Sequence, residues 1–148
     1  MKRTRKAWEM WMQRAGMIAG LAFIATGLLG FVPLFAPNQH LFGLFHVDKA
    51  HNLIHLVTGM MAIVAALGDL WNVRLFFRIF GAAYAAIGIM GFFYLEQPLF
   101  GWLTNNLANA CLHTAIGTTL LILGFINAPE PGRKTAVKSR PRFEHQAV

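Results

Sequence analysis

Four stretches of this chain carry no charged side chain over lengths that match the interior of a bilayer: 17–35, 50–68, 79–95 and 97–129. Crossing the hydrocarbon takes about 20 apolar residues in a helix, with a range of roughly 17–25. No water reaches that interior to satisfy free backbone groups, so runs of this kind are expected as helices. The composition agrees. Of 148 residues, 56% are apolar and 13% charged, whereas a soluble domain of this size needs a charged surface. The expected fold is all-α: one integral membrane bundle of four helices.

The charges that remain are segregated. Of the 13 basic residues, Lys2, Arg3, Arg5, Lys6 and Arg14 precede the first run, and Arg74 and Arg78 separate the second from the third. Arg133, Lys134, Lys138, Arg140 and Arg142 follow the fourth, and Lys49 alone falls in the remaining loops. By the positive-inside rule both termini are expected in the cytoplasm and Lys49 outside, in a bacterial inner (plasma) membrane. The net charge of +7 then reflects topology and weak contact with anionic headgroups, and no nucleic-acid partner is expected. A basic start before an apolar run also fits a signal peptide. Phe35-Ala36-Pro37 is a poor cleavage site, however, so the first span is expected to be retained.

The chain repeats itself. D-K-A-H-N-L-I-H-L-V-T-G from Asp48 to Gly59 returns 58 positions later as N-L-A-N-A-C-L-H-T-A-I-G from Asn106 to Gly117. Asp48 becomes Asn106, Ala50 becomes Ala108, His55 becomes His113 and Gly59 becomes Gly117. L-F-G at Leu41–Gly43 likewise matches Leu99–Gly101. Upstream, T-G-L-L-G-F ending at Phe31 matches I-G-I-M-G-F ending at Phe92, now 61 apart, and Pro37 matches Pro98. Each unit holds two spans, so both copies enter the membrane from one side. The bundle is expected as two parallel-repeat helical hairpins related by a pseudo-two-fold axis along the membrane normal. His55 and His113 then share one depth, roughly 8 Å inside the outer boundary at ~1.5 Å per residue.

Three segments follow. Residues 1–15 are basic with Trp8 and Trp11, expected as a short interfacial helix. Residues 16–128 form the four-span domain, with repeat one about 17–70 and repeat two about 75–127. Residues 129–148 are a basic tail, expected to be disordered. Span one is expected over about Met17–Phe35 and span three over about Leu75–Leu95. Ala22, Thr26 and Gly30 in span one, and Ala83, Gly88 and Gly91 in span three, are small residues that let helices approach closely.

L-F-G-L-F followed by D-x-A-H-N-x-x-H-L-x-x-G, echoed by N-x-x-x-x-x-x-H-x-x-x-G, resembles a family of small four-helix bacterial membrane proteins catalogued only as a domain of unknown function. The resemblance spans about Met17 to Phe125. It implies a four-span integral membrane protein and brings no activity, substrate or cofactor. In that family a second asparagine or aspartate often precedes the later histidine, and Asn106 and Asn109 are the candidates here.

Polar side chains within spans are costly and face the bundle interior. His51 and His55 lie four apart on one face of span two with Asp48 a turn above; Asn105, Asn109 and His113 make a matching ladder on span four. Three readings follow. The histidines are neutral and bond across the interface to a carbonyl, an asparagine, or a hydroxyl such as Thr26 or Tyr84. Alternatively, spans two and four meet and His55 and His113 supply both axial ligands of haem b, making a redox module. Or His51, His55 and His113, with Asp48, bind a transition metal. A proton-linked path is a weaker fourth, since four short spans leave little room for gating. Cys111 lies within a span, which excludes a disulfide within one chain, and reads as a small core residue. No Ser-His-Asp order, phosphate loop or Cys-x-x-Cys is present, so no enzyme is expected. The expected function is that of a non-catalytic membrane protein acting as an oligomer or accessory subunit, through the small-residue faces of spans one and three.

Overall fold

Three of the four helices begin at a side chain that satisfies their first free N–H groups. The computed structural model describes residues 2–126, with side chains from Arg5 onward; the tail expected at 129–148 lies outside the described residues. The helices are α1 (Lys2–Leu29), α2 (Lys49–Leu67), α3 (Leu70–Phe93) and α4 (Leu107–Phe125). The Asp48 carboxylate accepts from His51 N at 2.7 Å, Asp69 from Asn72 N at 2.9 Å, and the Asn106 amide oxygen from Asn109 N at 2.9 Å. These are N-caps, each worth about 1 kcal/mol. All four helices are long and apolar enough to cross a membrane, and residues such as Val64, Leu67 and Ile18 lie bare on their outer faces. The protein is a multi-pass, all-α membrane bundle.

The helix ends differ from the expected ones. α1 stops at Leu29, well short of Phe35: Gly30 follows, and Pro33 has no N–H to continue the ladder. The chain instead turns through 30–36, with Ala36 N donating to Val32 O at 3.0 Å. At its other end α1 runs unbroken from Lys2, so the segment expected as a separate interfacial helix is continuous with the span. Met12 there is fully buried and belongs to the hydrophobic core.

Between α1 and α2 lie a 3₁₀ turn (Pro37–Gln39) and a small hairpin, β1 (His40–Leu41) paired antiparallel with β2 (Phe45–His46). Phe42 and Gly43 both take positive φ, 55° and 73°, within the three-residue loop that joins the paired Leu41 and Phe45. Phe100 and Gly101 repeat it at 54° and 77°, with Leu99 bridged to Leu103. The repeated L-F-G is thus a repeated turn.

α1 packs along α2 and α3 along α4. Glycine sets both crossings. A Cβ on Gly59 would lie 2.7 Å from Gly20 O, and one on Gly81 would lie 3.1 Å from Gly117 O, so backbone meets backbone where a larger residue would hold the helices apart. Gly88 sits in the same way against the Thr114 backbone, whereas Gly91 meets the side chains of Asn105 and Ala110, and Gly30 that of Asn52. Most of the small residues read as external docking faces are therefore consumed inside the hairpins; Ala22 and Ala83 remain exposed.

The hairpins join through α2–α3 and α1–α3, around a core that includes Phe23, Phe76, Phe77 and Tyr84. Phe23 and Tyr84 occupy equivalent places in the two copies and pack at 5.1 Å, so the pseudo-axis passes between them. Symmetry would pair the α2–α3 contact with an α1–α4 contact. Instead a cleft of about 360 Å³ opens there, lined by Ala19, Ala22, Thr26, Ala115 and Thr119 among others.

Candidate metal centre

The side chains of His51 and His55 from α2 and His113 from α4 converge in the half of the bundle nearer the hairpin. Their potential ligand nitrogens all lie within 4.8 Å of one another, and the residues are only 3%, 8% and 5% exposed. Ring centroids are 4.7 Å apart for His51–His55, 5.3 Å for His51–His113 and 6.1 Å for His55–His113. α2 and α4 do not pack along each other; side chains bridge them. The cluster is built on the repeat. Phe23 meets His55 edge-on at 5.6 Å and 76°, and Tyr84 meets His113 at 5.5 Å and 73°. His51 breaks the symmetry, because its counterpart is Asn109.

Hydrogen counting fixes which nitrogens are free. Thr26 has one hydroxyl hydrogen, which goes to the carbonyls of Ala22 and Phe23, both at 3.0 Å. With that hydrogen kept in its own helix, the hydroxyl accepts from His55 Nδ1, 3.2 Å away, and this pairing belongs to the Nδ1–H tautomer. Nδ1 carries the proton, and Nε2 is left with a lone pair that meets no partner. At His51 the logic recurs. Thr104 Oγ1 donates to His46 O at 3.1 Å, so it accepts from His51 Nδ1 in a long contact of 3.5 Å, and the lone pair of His51 is again on Nε2. His113 Nδ1 is buried without a partner. A ring nitrogen held by a hydrogen bond while the other is presented is the usual arrangement of a metal-ligating histidine. Leaving such groups bare costs roughly 1–3 kcal/mol each.

The donor set fits an ion. Imidazole nitrogens bind zinc at about 2.0–2.1 Å, which places two of them roughly 3.4 Å apart on a tetrahedral centre. The ligand nitrogens, within 4.8 Å of one another, would have to close the remaining distance by rotation of the rings.

Two sequence expectations change. Asp48 is not in the cluster: one carboxylate oxygen caps α2 and the other accepts from Thr104 N at 3.3 Å, tying the two repeats together. Haem between His55 and His113 does not fit either. The His51 ring packs against both, the enclosed cavity beside them is about 50 Å³, and sites for molecules of drug size run to about 300–1,000 Å³. The larger α1–α4 cleft reaches His55 but is not lined by His113. Among the expected partners, Thr26 does meet His55, whereas the Tyr84 hydroxyl donates to Thr58 Oγ1 at 3.4 Å. Asn109 donates from Nδ2 to His46 O at 2.6 Å, and Asn105 to Gly91 O at 3.1 Å and Tyr94 O at 2.8 Å, so one holds the hairpin and the other the C-terminal end of α3. Thr104 escaped the sequence reading, although extending the repeat by 58 places it opposite His46.

Fold and site together describe a small four-helix membrane protein with a buried histidine cluster. The chain belongs to the family described as a domain of unknown function, DUF4383, whose model matches residues 13–126. No curated protein and no solved structure matches it.

Proposed function

We propose that this protein binds a transition-metal ion inside the membrane through His51, His55 and His113, and acts by holding that ion rather than by catalysing a reaction. The observation that carries the reading is the pair of buried, unpartnered ring nitrogens, His55 Nε2 and His113 Nδ1, in a cluster whose third member also presents a lone pair. Buried polar atoms without partners are rare enough to need an explanation, and an ion is a direct one. An all-imidazole donor set suits copper, zinc and nickel, with copper first in intrinsic affinity. No carboxylate joins the three ligands, so an ion here keeps its charge in a low-dielectric setting. That favours monovalent copper, or a divalent ion carrying an anionic fourth ligand.

The test is metal analysis and titration of the full-length protein purified in detergent. About one equivalent of tightly held copper or zinc is expected to survive extensive dialysis, and to be lost in His55→Ala and His113→Ala. Cobalt(II) bound in a nitrogen-rich tetrahedral site should give visible absorption that the same variants lose. Absence of binding, or binding indifferent to all three histidines, defeats the reading.

The placement of basic residues supports a bacterial inner-membrane protein with both termini cytoplasmic and the histidine cluster in the outer half. The α1–α4 cleft favours a second reading, that of an accessory subunit or oligomer. Its lining of Ala19, Ala22, Ala115 and Thr119 suits close approach by a further transmembrane helix. Cysteines placed at Ala22 and Ala115 should then crosslink to that helix in native membranes; labelling by lipid-soluble reagents alone would count against it.

A further inference from the structure

The five histidines among the described residues lie at one end of the bundle, and the buried cluster uses three of them. The other two, His40 and His46, face each other across the β1–β2 hairpin in direct register. Their rings are parallel to within 2°, with centroids 4.9 Å apart, and both are half-buried at the surface. His40 Nδ1 lies 2.8 Å from the carbonyl oxygen of Asn38. A carbonyl only accepts, so Nδ1 holds the proton and the Nε2 lone pair is left for a ligand. This is the arrangement found at His55, again with an oxygen behind the ring. Asn38 and Gln39 both take positive φ, 50° and 62°. That conformation is costly for residues other than glycine and persists where the surroundings impose it.

The hairpin is also joined to the buried cluster. The His46 carbonyl accepts from Thr104 Oγ1 and Asn109 Nδ2, and Thr104 Oγ1 is the same atom that meets His51 Nδ1. The ring pair and the buried cluster therefore share a supporting residue.

We infer that His40 and His46 form a second copper site, a two-imidazole capture site at the membrane surface through which the ion reaches His51, His55 and His113. This rests on the metal reading of the buried cluster, but the pair is a ligand set in its own right. Two imidazoles with water completing the coordination bind more weakly than three in a dry cavity, and they exchange faster. An entry site needs that order of affinities: capture must be loose where transfer must follow.

Two measurements on the full-length protein in detergent separate the claims. In the His55→Ala/His113→Ala background, copper(II) titration followed by electron paramagnetic resonance should show one weakly held ion with nitrogen coupling. His46→Phe, which keeps an aromatic ring stacked on His40, should abolish it. In the otherwise unaltered protein, His40→Phe/His46→Phe should leave the final metal content of the buried site unchanged while slowing its loading. If the buried cluster binds no ion, the metal reading fails while the first measurement still judges the pair. If the buried cluster fills at the same rate in the phenylalanine variant, or the copper signal survives His46→Phe, the entry site is wrong.

Discussion

A hydroxyl with one hydrogen decides what His55 can do. Thr26 gives its hydrogen to its own helix and turns a lone pair towards Nδ1, which presents Nε2 to the cluster. Thr26→Val removes the acceptor and keeps the shape. Metal affinity is then expected to fall about 10–100-fold, as for other supporting groups behind a ligand, while Thr26→Ser restores it. A cobalt titration reads the difference, and a change in melting temperature alone would mean that Thr26 only packs. Thr104→Val acts on His51 in the same sense but less strongly, since its contact is 3.5 Å long. The histidines were legible because the repeat marked His55 and His113 and helical spacing added His51. Asp48 was misread because a carboxylate one turn before a histidine looks the same as a ligand or as a cap. Its extended backbone and its bond to His51 N decide for the cap. Thr104 carried no signal of its own, being an ordinary loop residue until the fold sets it beside two histidines.

The four helices were readable from their charge-free runs and their caps, but their ends were not. α1 looked apolar through Phe35, and hydropathy cannot tell a span from an apolar turn that follows one. The glycines are of two kinds, those at helix crossings and those in turns, and substitution should separate them. A Cβ on Gly59 meets backbone, Gly20 O at 2.7 Å, so Gly59→Val must push α1 and α2 apart. It should cost about 1–3 kcal/mol or more, read as a lower unfolding midpoint in detergent and as weaker metal binding, because Thr26 and His55 sit on opposite sides of that crossing. Gly43 has φ 73° and nothing within 4 Å of its missing Cβ. Gly43→Ala therefore strains only the turn, at about 1 kcal/mol. Equal losses at the two positions would mean that the crossing is looser than its distances imply. Gly20 and Gly81 hold equivalent places in the two crossings and lie 61 apart, the offset already visible in T-G-L-L-G-F, so this part of the interface could have been found by carrying the repeat six residues further upstream.

At the scale of the molecule, the repeat predicts a symmetric bundle, and the departures from symmetry are where the chemistry gathers. His51 stands where the second copy has Asn109, His46 where it has Thr104, and α1–α4 is open where α2–α3 is closed. Such asymmetry was beyond the sequence, because equivalent apolar helices do not announce which of two contacts will close. The orientation of the bundle is testable by labelling. α1 and α3 run in one sense and α2 and α4 in the other, so the ends near Arg74 and Ile126 lie together, opposite Lys49 and the His40–His46 hairpin. Cys111, the single native cysteine, is not the small core residue expected but is exposed on the apolar surface of α4, at membrane depth, where a membrane-impermeant maleimide does not reach. The unaltered protein should therefore stay unlabelled in intact cells, while Lys49→Cys is labelled and Trp71→Cys only after permeabilisation. The reverse pattern would turn the histidine pair inward. The ion would then be drawn from the cytoplasm, and the protein would collect metal from inside the cell rather than from outside it.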